Sequence, residues 1–117
     1  MSDICGLDLD QSTVVYQGYG NIVRFPVTGQ YTTETPDMDT ATEVVVCVAG
    51  TASSSEDVPA YVSWVEEADV WYIDFQPGMF TGIAVGEVDA SIIVYTTTHT
   101  DGLVLTHTFK LNVVDPC

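Results

Sequence analysis

From residue 86 to residue 97 two sets of side chains trade places at every step. Val88, Ala90, Ile92 and Val94 alternate with Asp89, Ser91, Ile93 and Tyr95. A period of two is what one buried sheet face demands, because successive side chains leave a strand on opposite sides. The segment is therefore predicted to be a strand with the first set in a core. The same period covers residues 103–114. There Leu103, Leu105, His107, Phe109, Leu111 and Val113 alternate with Val104, Thr106, Thr108, Lys110, Asn112 and Val114. Between the two runs, "HTDGL" places Asp101-Gly102 where a hairpin turn is expected. In "DPC", Pro116 lacks an N–H and stops the second run.

Weaker versions of this pattern recur upstream. Residues 12–16 are predicted as a short first strand. Residues 21–28 follow, with Val23, Phe25 and Val27 alternating with Ile22 and Arg24; Pro26 cannot donate to a ladder, which places this strand at an edge or a bulge. "GQYTTETPDMDT" (29–40) reads as a loop, and "ATEVVVCVA" (41–49) as a strand buried on both faces or covered by a partner. "GTASSSEDVP" reads as a second, exposed loop. Residues 60–66 carry Val62 and Trp64 on one face. In 70–75, Trp71, Ile73 and Phe75 oppose Asp74. Residues 75–86 hold Pro77-Gly78, Gly82 and Gly86 but no His, Cys or Lys, so they read as a bend that closes the core with Met79, Phe80 and Ile83. About seven strands and no helical period predict an all-β protein. Its expected form is an antiparallel immunoglobulin-like β-sandwich over residues 12–117 behind an arm at 1–11; a small jelly roll or barrel is the second arrangement.

Charge narrows the partners. Seventeen acids against two cations, Arg24 and Lys110, give a formal net charge of −15. Nucleic acid requires several cations to neutralise phosphates, and an anionic membrane surface requires the same, so both are excluded as partners. The surplus fits a self-repelling soluble surface, a saline habitat or a basic docking partner. Residues 1–10 show no basic and apolar leader pattern, so synthesis in a cytoplasm is expected. The 117 residues suit one domain. Of three cysteines, Cys47 reads as a buried thiol in a valine run. Cys5 and Cys117 read as reduced thiols, with a bridge open if the chain ends meet.

Little in the chain resembles catalytic chemistry, and no enzyme and no cofactor are expected. His107 takes an inward position among leucines, and His99 sits beside the turn, where it reads as solvated. No G-x-S-x-G elbow presents a serine. Asp8 with Asp10, and Asp37 with Asp39, have the D-x-D spacing that offers two oxygens to Ca²⁺, without the glycine and glutamate of an EF-hand loop. Outward Tyr72 and Tyr95 are candidate stacking or interface positions.

The stretches "YGNIVRFPV", "ATEVVVCVAG" and "VWYIDFQPGMFTGIAVGEVDASIIVYTTTHTDGLVLTHTFKLNVVD" together resemble small immunoglobulin-like β-sandwich accessory proteins of tailed bacteriophages. The likeness is one of strand order and turn chemistry over most of residues 21–115. It implies a non-enzymatic virion component, foremost a capsid decoration or cement protein on the major capsid protein shell. A tail, neck or baseplate adaptor comes next, and a carbohydrate- or receptor-binding module is the reading from another class. Another virion protein or further copies of the chain are then the partners. The arm would lie across a neighbour through Ile4, Leu7 and Leu9.

Overall fold

The structure, a computed structural model, describes residues 13–28, 35–106 and 108–115. Within them run nine strands: β1 (Thr13–Tyr16), β2 (Val23–Pro26), β3 (Ala41–Val48), β4 (Thr51–Ser54), β5 (Val62–Glu67), β6 (Val70–Phe75), β7 (Gly86–Thr96), β8 (Leu103–Val104) and β9 (Phe109–Val114). Short 3-10 turns occupy Met38–Thr40 and Pro77–Met79. The chain is all-β. One sheet has the order β1-β9-β7-β3-β4, with β8 also on β7; the other has the order β2-β6-β5.

The two sheets meet over the predicted alternation. Val44, Val46 and Val48 of β3 stand opposite Val94, Ile92 and Ala90 of β7. All six are at most 2% exposed. Ile73 and Phe75 of β6 and Val62 of β5 join the same apolar cluster from the second sheet. Phe109 of β9 stacks on Phe25 at 5.9 Å between ring centroids and meets Phe75 edge-on at 6.4 Å. Both geometries suit the aromatic quadrupole, and both tie one sheet to the other.

Four features depart from the expectation. First, the serine-rich stretch read as a loop contains β4, which pairs with β3 through Val45↔Ser54 and Val48↔Thr51. Second, residues 103–114 are two strands. The β7–β8 pairing joins Ile93 to Val104, while the β7–β9 pairing joins Ala90 to Phe109, so the register slips by two. A slip of two keeps every side chain on its original face, which is why the alternation passes through it unbroken. Third, β1 runs parallel to β9, so the architecture is not wholly antiparallel. Fourth, Cys47 is half-buried on the outer face, opposite Ser91 and Ala52, because the even-numbered valines of β3 take the core. The edge position of Pro26 does appear: β2 pairs with β6 alone, Pro26 standing opposite Tyr72.

Two hairpins turn in two residues. Val48↔Thr51 closes on Ala49-Gly50, and Glu67↔Val70 closes on Ala68-Asp69. All four turn residues have positive φ: 53° and 82° in the first, 52° and 68° in the second. Such turns match the strand twist but penalise alanine, whose Cβ crowds the next carbonyl by about 1–2 kcal/mol. Ala68→Asn is therefore expected to stabilise the domain by about 1 kcal/mol, read as a raised urea midpoint at constant slope. A lowered midpoint would refute the turn assignment. Asp101-Gly102, by contrast, ends a six-residue connection in which the Thr98 and His99 amides donate to the buried Thr96 hydroxyl.

Candidate functional site

The two aromatic positions singled out by sequence lie on opposite sides of the molecule. Tyr72 belongs to β6, on the outer face of the three-stranded sheet. Arg24 reaches across it from β2, its guanidinium 4.9 Å from the ring centroid. The same guanidinium donates to both Asp74 oxygens, Nε to Oδ1 at 2.8 Å and the second amino group to Oδ2 at 2.9 Å. Its remaining amino group donates to Glu67 at 3.0 Å. Hydrogen bonds to Asp74 and then Glu67 raise the Arg24 pKa above its ordinary value, so it stays charged at any working pH. Tyr72 is thus already occupied on one face.

Tyr95 belongs to β7, on the outer face of the larger sheet. A Cβ placed on Gly102 would lie 2.9 Å from its ring, so the turn before β8 rests against it. Ile93 stands beside it on the same face, between Val45 of β3 and Val104 of β8. Val104 is 55% exposed. Below this row, Lys110 donates to Asp89 directly across the β7–β9 pair. That bond raises the Lys110 pKa above the usual 10.5. A raised folded value means the pair contributes throughout neutral pH and is lost only as pH climbs through the folded pKa.

Both cations are therefore held by carboxylates, one on each outer face. With 17 acids to two cations, repulsion outweighs these two pairs. Melting temperature is expected to rise as NaCl goes from about 0.01 M to about 1 M, where the Debye length shrinks from about 30 to about 3 Å. A fall measured by differential scanning fluorimetry would mean the ion pairs matter more than the surplus.

Asp37 and Asp39 are exposed and flank Met38 at the first 3-10 turn. Among the described residues no three His, Cys, Asp or Glu side chains gather as a metal site. Asp8, Asp10, Ile4, Leu7, Leu9, Cys5, Cys117 and His107 lie outside the described residues. His99 is half-buried, where sequence alone placed it in solvent.

One concavity has no counterpart in the sequence reading. Strand β4 is one edge of the larger sheet, β1 the other. Its inward positions are Thr51 and Ser53, in line with Val48 and Val46 of the core face. These hydroxyls line a pocket of about 190 Å³ together with Asp57, Val58, Tyr61, Met79, Phe80 and Thr81. A smaller lobe of about 50 Å³ continues it past Thr81 to Gly82 and Ile83. Gln76 joins the two walls. Its backbone N–H donates to the Tyr61 carbonyl at 2.9 Å, its side-chain amide donates to Ala60 at 3.1 Å, and its own carbonyl accepts from Met79 at 3.0 Å. Phe80 is 6% exposed and forms the floor. The glycine-punctuated bend thus closes the core, as expected, and also supplies one wall of a cavity. The signal for the cavity was hydroxyls at every second position of "TASS", which is hidden while that stretch is read as a loop.

A shallower groove of about 290 Å³ lies on the other side of residues 55–62, along Trp64, Pro59 and Glu56. Compared with protein-family models, curated proteins and solved structures, the chain matches none.

Proposed function

We propose that the chain is a non-enzymatic immunoglobulin-like module that decorates a larger shell, in the manner of a head decoration or cement protein of a tailed bacteriophage. Strand order supports the immunoglobulin-like part. Sheets β9-β7-β3 and β2-β6-β5 correspond to the two faces of such domains, with β4 as the additional strand beside β3 and β1 as the first strand against the last.

One observation carries the docking part. Val104, Ile93 and Val45 stand side by side across β8, β7 and β3, with Tyr95 and Cys47 on the same face. This is an apolar row, half-buried except for the exposed Val104, on a molecule of net charge −15. Scattered apolar residues on a surface need no explanation, but a contiguous row rimmed by charge marks a contact face. Because the described cations are both tied to carboxylates, the complementary surface is apolar at its centre and basic at its margin. A shell presents many equivalent copies of such a surface, so a small footprint of about 800 Å² per partner suffices.

The test is co-sedimentation of the pure protein with undecorated phage heads. Binding is expected to saturate at a fixed number of copies per head, and to weaken at least tenfold in Ile93→Glu. Failure to bind at any salt concentration, or undiminished binding by Ile93→Glu, would remove the proposal.

A further inference from the structure

We propose that the pocket between β4 and the bend after β6 is a binding site for a single neutral sugar ring, either free or at the end of a glycan. The pocket lies on a different face from the Val104–Ile93–Val45 row. Thr51, Ser53, Thr81 and Tyr61 present hydroxyls and Asp57 a carboxylate. Among the described residues none of these side chains spends its polar atoms on a bond within the chain, whereas Ser54, which also lines the pocket, and the adjacent Ser55 do. Apolar surface comes from the Tyr61 ring, Phe80 and Met79.

Elimination gives the ligand class. No cation lines the pocket, and Arg24 and Lys110 are engaged elsewhere, so a phosphate or carboxylate would meet only like charge. No three metal-ligating side chains gather there or elsewhere among the described residues. A purely apolar guest would strip water from hydroxyls without replacing their hydrogen bonds. A polyhydroxylated ring matches both halves, with C–H faces for Tyr61 and Phe80 and hydroxyls for the serine, threonines and Asp57. Size agrees. Sites for drug-sized ligands start near about 300 Å³, and about 190 Å³ leaves room for one ring only. The walls are also held in place before any ligand arrives, through the three bonds that Gln76 makes between Ala60, Tyr61 and Met79. Tyr72 and Tyr95 lack this combination, since Arg24 lies over the first and Gly102 against the second.

The experiment is a titration of isotope-labelled protein, followed by amide NMR shifts, with the methyl glycosides of glucose, galactose, mannose and N-acetylglucosamine. A ring of this size predicts a Kd of about 1–10 mM, so each is taken to about 50 mM. At least one sugar is expected to give saturable shifts at Thr51, Ser53, Asp57, Tyr61 and Thr81 while Ile93 and Tyr95 stay still. Tyr61→Ala should weaken that binding at least tenfold. Should Tyr61→Ala fail to fold, Thr81→Val keeps the shape, removes one hydroxyl and should weaken binding about threefold to tenfold. The proposal is overturned if no sugar shifts these amides, or if shifts persist unchanged in the variants. It is equally overturned if tert-butanol shifts them and no sugar does, which would mark the pocket as a socket for a partner's apolar side chain. Co-sedimentation with phage heads should be unaffected by Thr81→Val, so either proposal can fail alone.

Discussion

Phe75→Ala is expected to lower the unfolding free energy by about 3–5 kcal/mol. Phe75 is completely buried. It stands between Val23 of β2 and Val62 of β5, and its ring meets Phe109 of the opposite sheet. Truncation removes apolar contact with both sheets and leaves a cavity that a two-layer fold cannot close by local movement. Domains of this size hold about 5–15 kcal/mol in total, so the variant keeps only part of its margin. At about 4 °C per kcal/mol the melting temperature falls by about 12–20 °C. Calorimetry checks the result. A loss below about 1 kcal/mol, the ordinary effect of a surface change, would mean that the sheets do not share a core at this residue.

Gly78→Ala is expected to cost a comparable amount, about 3 kcal/mol, for a different reason. A Cβ at Gly78 would lie 2.1 Å from the Tyr16 carbonyl oxygen and 2.7 Å from that of Tyr19. Neither obstacle is a flexible side chain, so backbone must move. The Gly18 amide donates to the Gly78 carbonyl at 2.8 Å, and a shift of either segment breaks that bond as well. The damage should therefore spread to the end of β1. Faster hydrogen exchange at Gly18 and Gln17, together with a reduced urea midpoint, is the signature. Unchanged exchange at both amides would show that the 3-10 turn does not rest on β1.

Sequence carried the strands whose partners share one burial pattern. The sequence places Val70–Phe75 to the residue, and β3 and β7 to within one residue at one end, because in each the core face is continuously apolar. Strand β4 escaped because Thr, Ala and Ser offer no hydrophobic period. Their hydroxyls also favour local turns over ladders, so only pairing with β3 reveals them. The break between β8 and β9 escaped because a shift of two leaves no trace in an alternating pattern. Cys47 was misplaced by its valine neighbours, which made a two-faced run look buried on both sides. Of the site, Met79 and Phe80 were legible as apolar closures. Their meeting with Thr51, Ser53 and Tyr61 was not, since it depends on three connections folding toward one edge. Tyr72 and Tyr95 were placed outward correctly, but nothing local shows that Arg24 and Gly102 come to rest against them.

The parallel pairing of β1 with β9 sets the order of synthesis against the order of assembly. Thr13–Tyr16 precedes the other described strands in the chain, yet among the described residues its only strand partner is Phe109–Val114, and until that segment arrives Val15 has no place to go. β9 also completes one side of β7, so the last strand finishes two ladders at once. Closing so long a loop is slow relative to hairpin formation. The early hairpins β3–β4 and β5–β6 should therefore form well before the ends of the domain are joined. A growing chain spends that interval with the flank of its central strand open.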